Sequence, residues 1–187
     1  MEGDSKMENW RSAGLKDVEA LADLFWSNIS AAPAYISHGE MQMGVAVEPG
    51  VLAENGKEQW VRYIIEKIEG QYLPKEKLPS AVLICSLPQE EEDSPQLRSC
   101  NSIDAFCVLE ISEDGAAPFG IICDMLVSPR LRGRGLGGKL LDKAMEWFTL
   151  MGITDVYLES GVENHSAHGF FESKGFKTVS HIFKLQR

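Results

Sequence analysis

The stretch Arg132-Gly133-Arg134-Gly135-Leu136-Gly137-Gly138 decides the fold. It follows an apolar run, Phe119–Val127, and directly precedes an amphipathic stretch at residues 139–151. This order predicts a β-strand, a glycine-rich turn and an α-helix. The first amides of a helix lack intrahelical partners and lie at the positive end of the helix dipole, so the turn is a candidate pocket for phosphate or diphosphate.

Two common phosphate-binding patterns fit this turn incompletely. Gly133, Gly138 and Lys139 match the G-x-x-x-x-G-K core of a P-loop, but Leu140 stands where a hydroxyl is needed for magnesium. Gly133, Gly135 and Gly138 match the dinucleotide-binding pattern G-x-G-x-x-G. That fold builds most of its sheet after the glycine turn, whereas only the last quarter of this chain follows Gly138. We set the P-loop aside and keep a dinucleotide-binding oxidoreductase as an alternative.

A second block lies one predicted helix and one predicted strand beyond the glycine turn. Residues 164–176 read Asn-His-Ser-Ala-His-Gly-Phe-Phe-Glu-Ser-Lys-Gly-Phe. This block resembles the N-x-x-A-x-x-F-Y-x-x-x-G-F segment of the GNAT N-acetyltransferase superfamily. Arg132-x-x-Gly135-x-Gly137 resembles the acyl-CoA-binding signature of the same family, R/Q-x-x-G-x-G/A. The resemblance covers about Phe119 to Phe176 and has both motifs in the family's order.

The resemblance implies a GNAT-type α/β fold with a mixed, largely antiparallel central sheet flanked by about four helices. Apolar periodicity predicts strands at residues 10–15, 81–87, 104–112, 119–127, 155–159 and 176–185. It predicts helices at 17–29, 57–69, 134–151 and 164–174, with 30–56 irregular. We expect one domain over residues 1–187, with a mobile loop at 88–102 that carries Glu90-Glu91-Glu92-Asp93.

The composition limits the kinds of molecule that the protein is expected to bind and the compartment in which it is expected to lie. The formal net charge of −10 argues against a nucleic-acid partner and suits a cationic acceptor such as an amine. No apolar run is long enough to cross a membrane, and residues 1–9 are too polar for a secretory signal. The four cysteines form no C-x-x-C pair, which favours reduced thiols over disulfides or a metal. We expect a cytoplasmic protein, and the resemblance implies that it can pair as a homodimer.

The resemblance also implies acetyl-CoA as cofactor. The amides from Arg132 to Gly138 would bind its diphosphate, and the pantetheine arm would pair like an added strand with Met125 and Val127. An amide near Met125 or Leu126 would polarise the acyl carbonyl. Asn164 and Phe171 would line the arm. The implied cofactor-binding residues are Met125, Leu126, Val127, Arg132, Gly133, Arg134, Gly135, Leu136, Gly137, Gly138, Asn164 and Phe171.

The catalytic acid and base depart from the family pattern. Phe171 stands where many family members carry a tyrosine that protonates the leaving sulfur, and phenylalanine has no proton to donate. Cys123 stands where a glutamate base is common, and burial makes a thiol a poor base. The neighbouring Asp124 is expected on the opposite face of the strand. Glu159, at the end of predicted strand 155–159, is a second candidate base, acting directly or through water.

Candidate acceptor-binding residues lie in the irregular segment 30–56, where His38 titrates near neutrality and Glu40 can hold a cation. The sequence predicts an N-acetyltransferase in which a primary amine of a small molecule or peptide attacks acetyl-CoA directly. No histidine or serine occupies an activated-nucleophile motif, and a covalent acetyl-Cys123 is the alternative route. Because Cys123 and Phe171 stand where the family has its usual base and acid, a catalytically silent acyl-CoA-binding module is a further alternative.

Overall fold

The structure is a computed structural model that describes residues 8–71, 79–88, 102–114 and 117–185. Apart from its end residues 88 and 102, the loop expected at 88–102 lies outside the described residues, together with its acidic run.

Seven strands and five α-helices are present in the described residues. The strands are β1 (Asn9–Ser12), β2 (Ala46–Glu48), β3 (Val51–Leu52), β4 (Ser80–Ser86), β5 (Ala105–Ser112), β6 (Phe119–Val127) and β7 (Val156–Leu158). The helices are α1 (Val18–Ala31), α2 (His38–Gln42), α3 (Gly56–Gly70), α4 (Leu136–Leu150) and α5 (His165–Ser173). None of the helices in these ranges is long and apolar enough to span a membrane.

Five strands form the main sheet, in the order β1-β4-β5-β6-β7. The first three junctions are antiparallel, and β6 pairs with β7 in parallel. The parallel junction follows from the chain order, because α4 connects β6 to β7 as a crossover helix. The expected mixed, largely antiparallel sheet flanked by helices is therefore confirmed.

Apolar side chains cover both faces of the sheet. On one face, Phe106 of β5 lies beneath α1 and α3, where Phe25 stacks on the fully buried Trp60 with ring centroids 4.4 Å apart. On the other face, α4 packs Leu140 and Phe148 against the sheet. Such two-sided burial explains why β4 and β5 are almost continuously apolar in the sequence.

Helix α4 lies directly on β6. A Cβ atom on Gly120 would be 2.5 Å from the ring of Phe148, so only glycine allows this approach. Because β6 and α4 are packed this closely, the turn between them is held at the carboxyl end of β6. The position of the glycine turn is thus set by the core.

A β-bulge in β6 corrects one expectation. Val108 pairs with Asp124 and Leu109 pairs with Ile122, so Cys123 is the extra residue. The bulge breaks the alternation of side chains along the strand. Cys123 and Asp124 consequently point to the same face, toward α1 and α3, although strict alternation placed them on opposite faces.

Residues 30–56 are more ordered than predicted. They contain α2 and the β2–β3 hairpin, so the helices number five instead of about four. Ser37 caps α2: its Oγ accepts a hydrogen bond from the N–H of Gly39, and the Glu40 carboxylate accepts one from the N–H of Ser37. This capping box stabilises a helix that is too short for its apolar period to be recognised.

The predicted last strand, 176–185, is wrong. The structure has no regular secondary structure there, and Val179, Ile182, Phe183 and Leu185 are exposed. Alternating apolar residues give a segment the propensity for a strand, but the strand forms only when a neighbouring edge supplies hydrogen bonds. In the described residues, the contact of this segment with another strand is one hydrogen bond from Lys184 Nζ to the carbonyl of Val47, 3.2 Å long.

Candidate functional site

The two strands at the parallel junction diverge. β7 pairs with β6 from Gly120 to Ile122, whereas β6 continues to Val127. A cavity of about 460 Å³ opens where they separate. Its walls are the free part of β6, the glycine turn, α1, the α1–α2 connection and α5. The cavity lies beside the segments in which the sequence predicted the cofactor arm and the acceptor.

The glycine turn presents unpaired amides at one end of this cavity. Gly133 and Gly135 have positive φ angles, +74° and +82°, which favour glycine, and Gly135 is the N-cap of α4. Within the described residues, the N–H groups from Gly133 to Gly138 have no hydrogen-bond acceptor. A Cβ atom on Gly133 or Gly135 would meet nothing within 4 Å, so the space beside them is open. An anionic group fits this cradle.

Gly137 and Gly138 allow α5 to approach the turn. A Cβ atom on Gly137 would lie 3.7 Å from the ring of Phe170, and one on Gly138 would lie 3.3 Å from Nζ of Lys174. Because these two glycines have no side chains, α5 can pack closely against the start of α4, which places the ammonium of Lys174 near the turn.

Arg132 is engaged within the protein. Its Nε donates to the carbonyl of Val127 at 3.2 Å, its Nη1 donates to the hydroxyl of Tyr35 at 2.7 Å, and its Nη2 donates to Oδ1 of Asn28. The guanidinium thus ties the turn to α1 and to the α1–α2 connection. Arg134 is exposed. The structure gives Arg132 a positioning role, and contact of either arginine with the cofactor stays a prediction.

The predicted residues of the last helix line the cavity. Asn164 precedes α5 as its N-cap residue, without capping the helix through its side chain. Phe171 packs edge-on against Phe170 and Phe176, with centroids 5.2 and 5.8 Å away. Gly175 ends the helix with a φ of +93°, as a C-terminal glycine does. The structure therefore brings Asn164 and Phe171 to the same cavity as the glycine turn.

The structure brings two of the predicted site residues, His38 and Glu159, close together. Nδ1 of His38 lies 3.7 Å from Oε1 of Glu159, and their side chains are 35% and 48% exposed. Glu40, only 8% exposed, also lines the cavity. Its Oε2 accepts hydrogen bonds from N and Oγ of Ser37, at 2.6 and 2.5 Å. Residues from α2 and from the end of β7, far apart in sequence, thus form one acidic wall.

Asp124 lines the cavity, although the sequence analysis gave it no role in the site. It is 8% exposed, and its Oδ2 has no hydrogen-bond partner in the described part of the chain. Burial, reinforced by the charge of Glu40, raises the pKa of this carboxyl from 3.8 to about 8, and Trp60 offsets the rise only partly. The sequence feature that could have pointed to Asp124 is that it is the one charged residue in the apolar run Phe119–Val127.

Cys123 has the chemistry of a buried thiol. Burial raises its pKa to about 12, and Tyr63 offsets only part of that rise. Its Sγ lies 3.6 Å from Oε2 of Glu110, which in turn binds Nζ of Lys67 at 2.7 Å. Near neutral pH the residue is a protonated thiol, which is neither a general base nor a nucleophile.

We therefore expect Cys123→Ala to retain activity. The acetyl-transfer kcat/KM should stay within about threefold of the unmodified protein, because the thiol takes no proton. Steady-state kinetics after correction for the folded fraction check this. A loss of about 1000-fold, or an acetylated Cys123 in mass spectra after quenching, would instead establish the covalent route.

Comparison with known proteins agrees with the fold and the motifs. The model of the acetyltransferase (GNAT) family matches residues 85–176. The uncharacterized N-acetyltransferase YhdJ of Bacillus subtilis (strain 168) is 36% identical over 64 residues, which are 34% of this chain and 45% of the relative. This chain spans less than half the length of the curated relatives it matches.

Solved structures share the fold over nearly the whole chain. The crystal structure of a "predicted acetyltransferase with acetyl-CoA" from Clostridium acetobutylicum has a TM-score of 0.63 at 18% identity and covers 96% of each chain. Aminoglycoside N-acetyltransferase AAC(6')-Iy in complex with CoA has a TM-score of 0.61 at 13% identity and covers 100% of this chain and 99% of that one. The chain is therefore similar to the acetyltransferase (GNAT) family over the segment that holds both motifs, and it shares the fold of solved acetyltransferases over nearly its whole length.

Proposed function

We propose that this protein is a cytoplasmic, acetyl-CoA-dependent N-acetyltransferase that acetylates a primary amine by direct attack. One observation carries the proposal: a single cavity is lined both by helix-start amides and by the buried Asp124 carboxyl, and neither the amides nor Asp124 Oδ2 has a hydrogen-bond partner in the described residues. The first suits a diphosphate, and the second suits an amine. The CoA complexes of proteins with the same fold support the choice of cofactor.

The residues present fit acetyl-CoA. The amides of Gly133 to Gly138 would bind the diphosphate, and the free edge of β6, from Cys123 to Val127, would pair with the pantetheine arm. Asn164 and Phe171 would line the arm from the other side. When bound, acetyl-CoA supplies an acetyl thioester, whose carbonyl an amide near Met125 or Leu126 would orient.

Asp124 is our choice of general base. An amine arrives at neutral pH as an ammonium ion, which cannot attack until it loses a proton. Asp124 lines the cavity, and its Oδ2 has no hydrogen-bond partner in the part of the chain that the structure describes. Its raised pKa of about 8 lies near the operating pH, where a base is most effective. Glu159 is the competing base; it is half exposed and already lies beside His38.

The mechanism needs no acidic side chain to protonate the leaving sulfur, a role that Phe171 could not fill. Asp124 takes the first proton of the ammonium ion, the C–N bond forms and the C–S bond breaks. The nitrogen then carries one proton too many, and the departing thiolate can take it, directly or through water. A thiol with an ordinary pKa of about 8.5 leaves without further help. The absence of a hydroxyl at Phe171 is therefore compatible with turnover.

The proposal predicts both binding and turnover. Calorimetry should show saturable binding of CoA in the micromolar to low millimolar range. Acetyl-CoA with a panel of primary amines should release free CoA thiol and give a product 42 Da heavier, since an acetyl group replaces a hydrogen. CoA binding without acetylation of any amine would favour the silent acyl-CoA-binding module. Binding of NADH instead of CoA would favour the dinucleotide-binding alternative.

A further inference from the structure

The acceptor side of the cavity carries three carboxyl groups. Glu40, Asp124 and Glu159 all line it. Among the described lining residues, Arg132 is the one lysine or arginine, and its guanidinium donates to Val127, Tyr35 and Asn28 near the glycine turn. No lysine or arginine of the described wall therefore neutralises the three carboxylates.

Two of these carboxyl groups are buried, and each has an oxygen atom that accepts no hydrogen bond in the described residues. Asp124 and Glu40 are each 8% exposed. Asp124 Oδ2 has no hydrogen-bond partner in the described ranges, and Glu40 uses Oε2 for Ser37 but accepts no hydrogen bond there on Oε1. Buried carboxylate oxygens left without donors cost free energy unless a ligand supplies the donors. Both oxygens are thus places for hydrogen-bond donors of the acceptor molecule.

The reacting amine can pair with only one of the three carboxyl groups. Asp124 exchanges a proton with it, after which both groups are neutral. Glu159 already has a neighbour in His38, whose Nδ1 lies 3.7 Å from Oε1 of Glu159. Glu40, whose Oε2 accepts hydrogen bonds from N and Oγ of Ser37, is left as the carboxyl group for a second cationic group of the acceptor.

We propose that the acceptor is a dication: a primary amine with a second ammonium or guanidinium group, which binds Glu40 while the reacting amine binds Asp124. This inference rests on the proposed acetyltransferase function and narrows its acceptor class. Free amino acids are poor acceptors, because their carboxylate would face Glu40 and Asp124. Diamines, and larger molecules built on them, have the required charge.

Three acceptors of similar length test the inference: 1,4-diaminobutane, butylamine and 4-aminobutanoate. We expect kcat/KM for the diamine to exceed that for butylamine at least tenfold, with 4-aminobutanoate lowest. In Glu40→Gln the ratio of diamine to butylamine should fall toward one. Glutamine keeps the cap of α2, because it too can accept from Ser37, so the lost ratio reports charge and not unfolding.

The outcomes separate this inference from the function on which it rests. Equal kcat/KM for the diamine and butylamine, or an unchanged ratio in Glu40→Gln, would overturn the dication assignment and leave the acetyltransferase in place. Acetylation of none of the three, with CoA binding intact, would overturn both. A thermal melt of Glu40→Gln shows whether the variant is folded.

Discussion

Gly135→Asp is expected to weaken CoA binding about 100-fold while the protein stays folded. The loss corresponds to roughly 3 kcal/mol, the repulsion that a carboxylate exerts on a nearby diphosphate in a partly buried site. Gly135 caps α4 with a φ of +82°, and no atom lies within 4 Å of the position of a Cβ. Aspartate tolerates this backbone region better than most residues and is a favourable N-cap. The new charge, not a collapsed turn, is therefore the cause.

The same substitution at the other end of the helix is the matched control. Gly152 also has a positive φ, +75°, and equally open space, but it follows the carboxyl end of α4. Gly152→Asp should lower the melting temperature at least as much as Gly135→Asp, because a negative charge there opposes the helix dipole. Calorimetry should find its CoA affinity unchanged. Equal CoA affinity in both variants would mean that the turn does not bind the diphosphate.

The sequence predicts the regular elements well where the signal is local. Helices α1, α3 and α4 lie within two residues of their expected ends, because each has an apolar stripe that repeats along its own length. The glycine turn is equally local: its residues are consecutive, and the strand and helix beside it have clear periods. The geometry of the turn and of the strand and helix beside it could therefore be predicted almost completely.

The acceptor side depends on contacts between distant segments. The proximity of His38 and Glu159 requires the α1–α2 connection to lie across the end of β7. The shared direction of Cys123 and Asp124 requires a bulge, which is a property of pairing with β5 and not of β6 alone. The missing strand at 176–185 has the same origin, since pairing needs a second edge. These features arise from register and tertiary packing.

Asp124→Asn is expected to lower kcat/KM for acetyl transfer by about 100- to 10,000-fold, the usual contribution of a general base. CoA affinity should not change, because the proposed diphosphate site consists of main-chain amides of the glycine turn and not of the Asp124 side chain. Glu159→Gln should cost less than tenfold, since Glu159 is half exposed. The reverse order, with the larger loss in Glu159→Gln, would transfer the role of base to Glu159.

The pH profile gives an independent signature. A base must be unprotonated to act, and the pKa of Asp124 is raised to about 8. The kcat/KM of the unmodified protein should therefore rise about tenfold per pH unit below 8 and level off above it. The residual activity of Asp124→Asn should lack this rise. A profile that is flat from pH 6 to 9 in the unmodified protein would contradict the assignment.

Stability should change with pH in the opposite sense to activity. The pKa of Asp124 is about 8 in the folded protein, against an ordinary value of 3.8, so between these values the folded state binds a proton that the unfolded state has lost. The contribution of this group to the free energy of unfolding is present at low pH and disappears as the pH rises through 8. Asparagine does not titrate. The fall in melting temperature from pH 6 to pH 9 should therefore be larger in the unmodified protein than in Asp124→Asn, and an equal fall in both would show that Asp124 is ionised across this range.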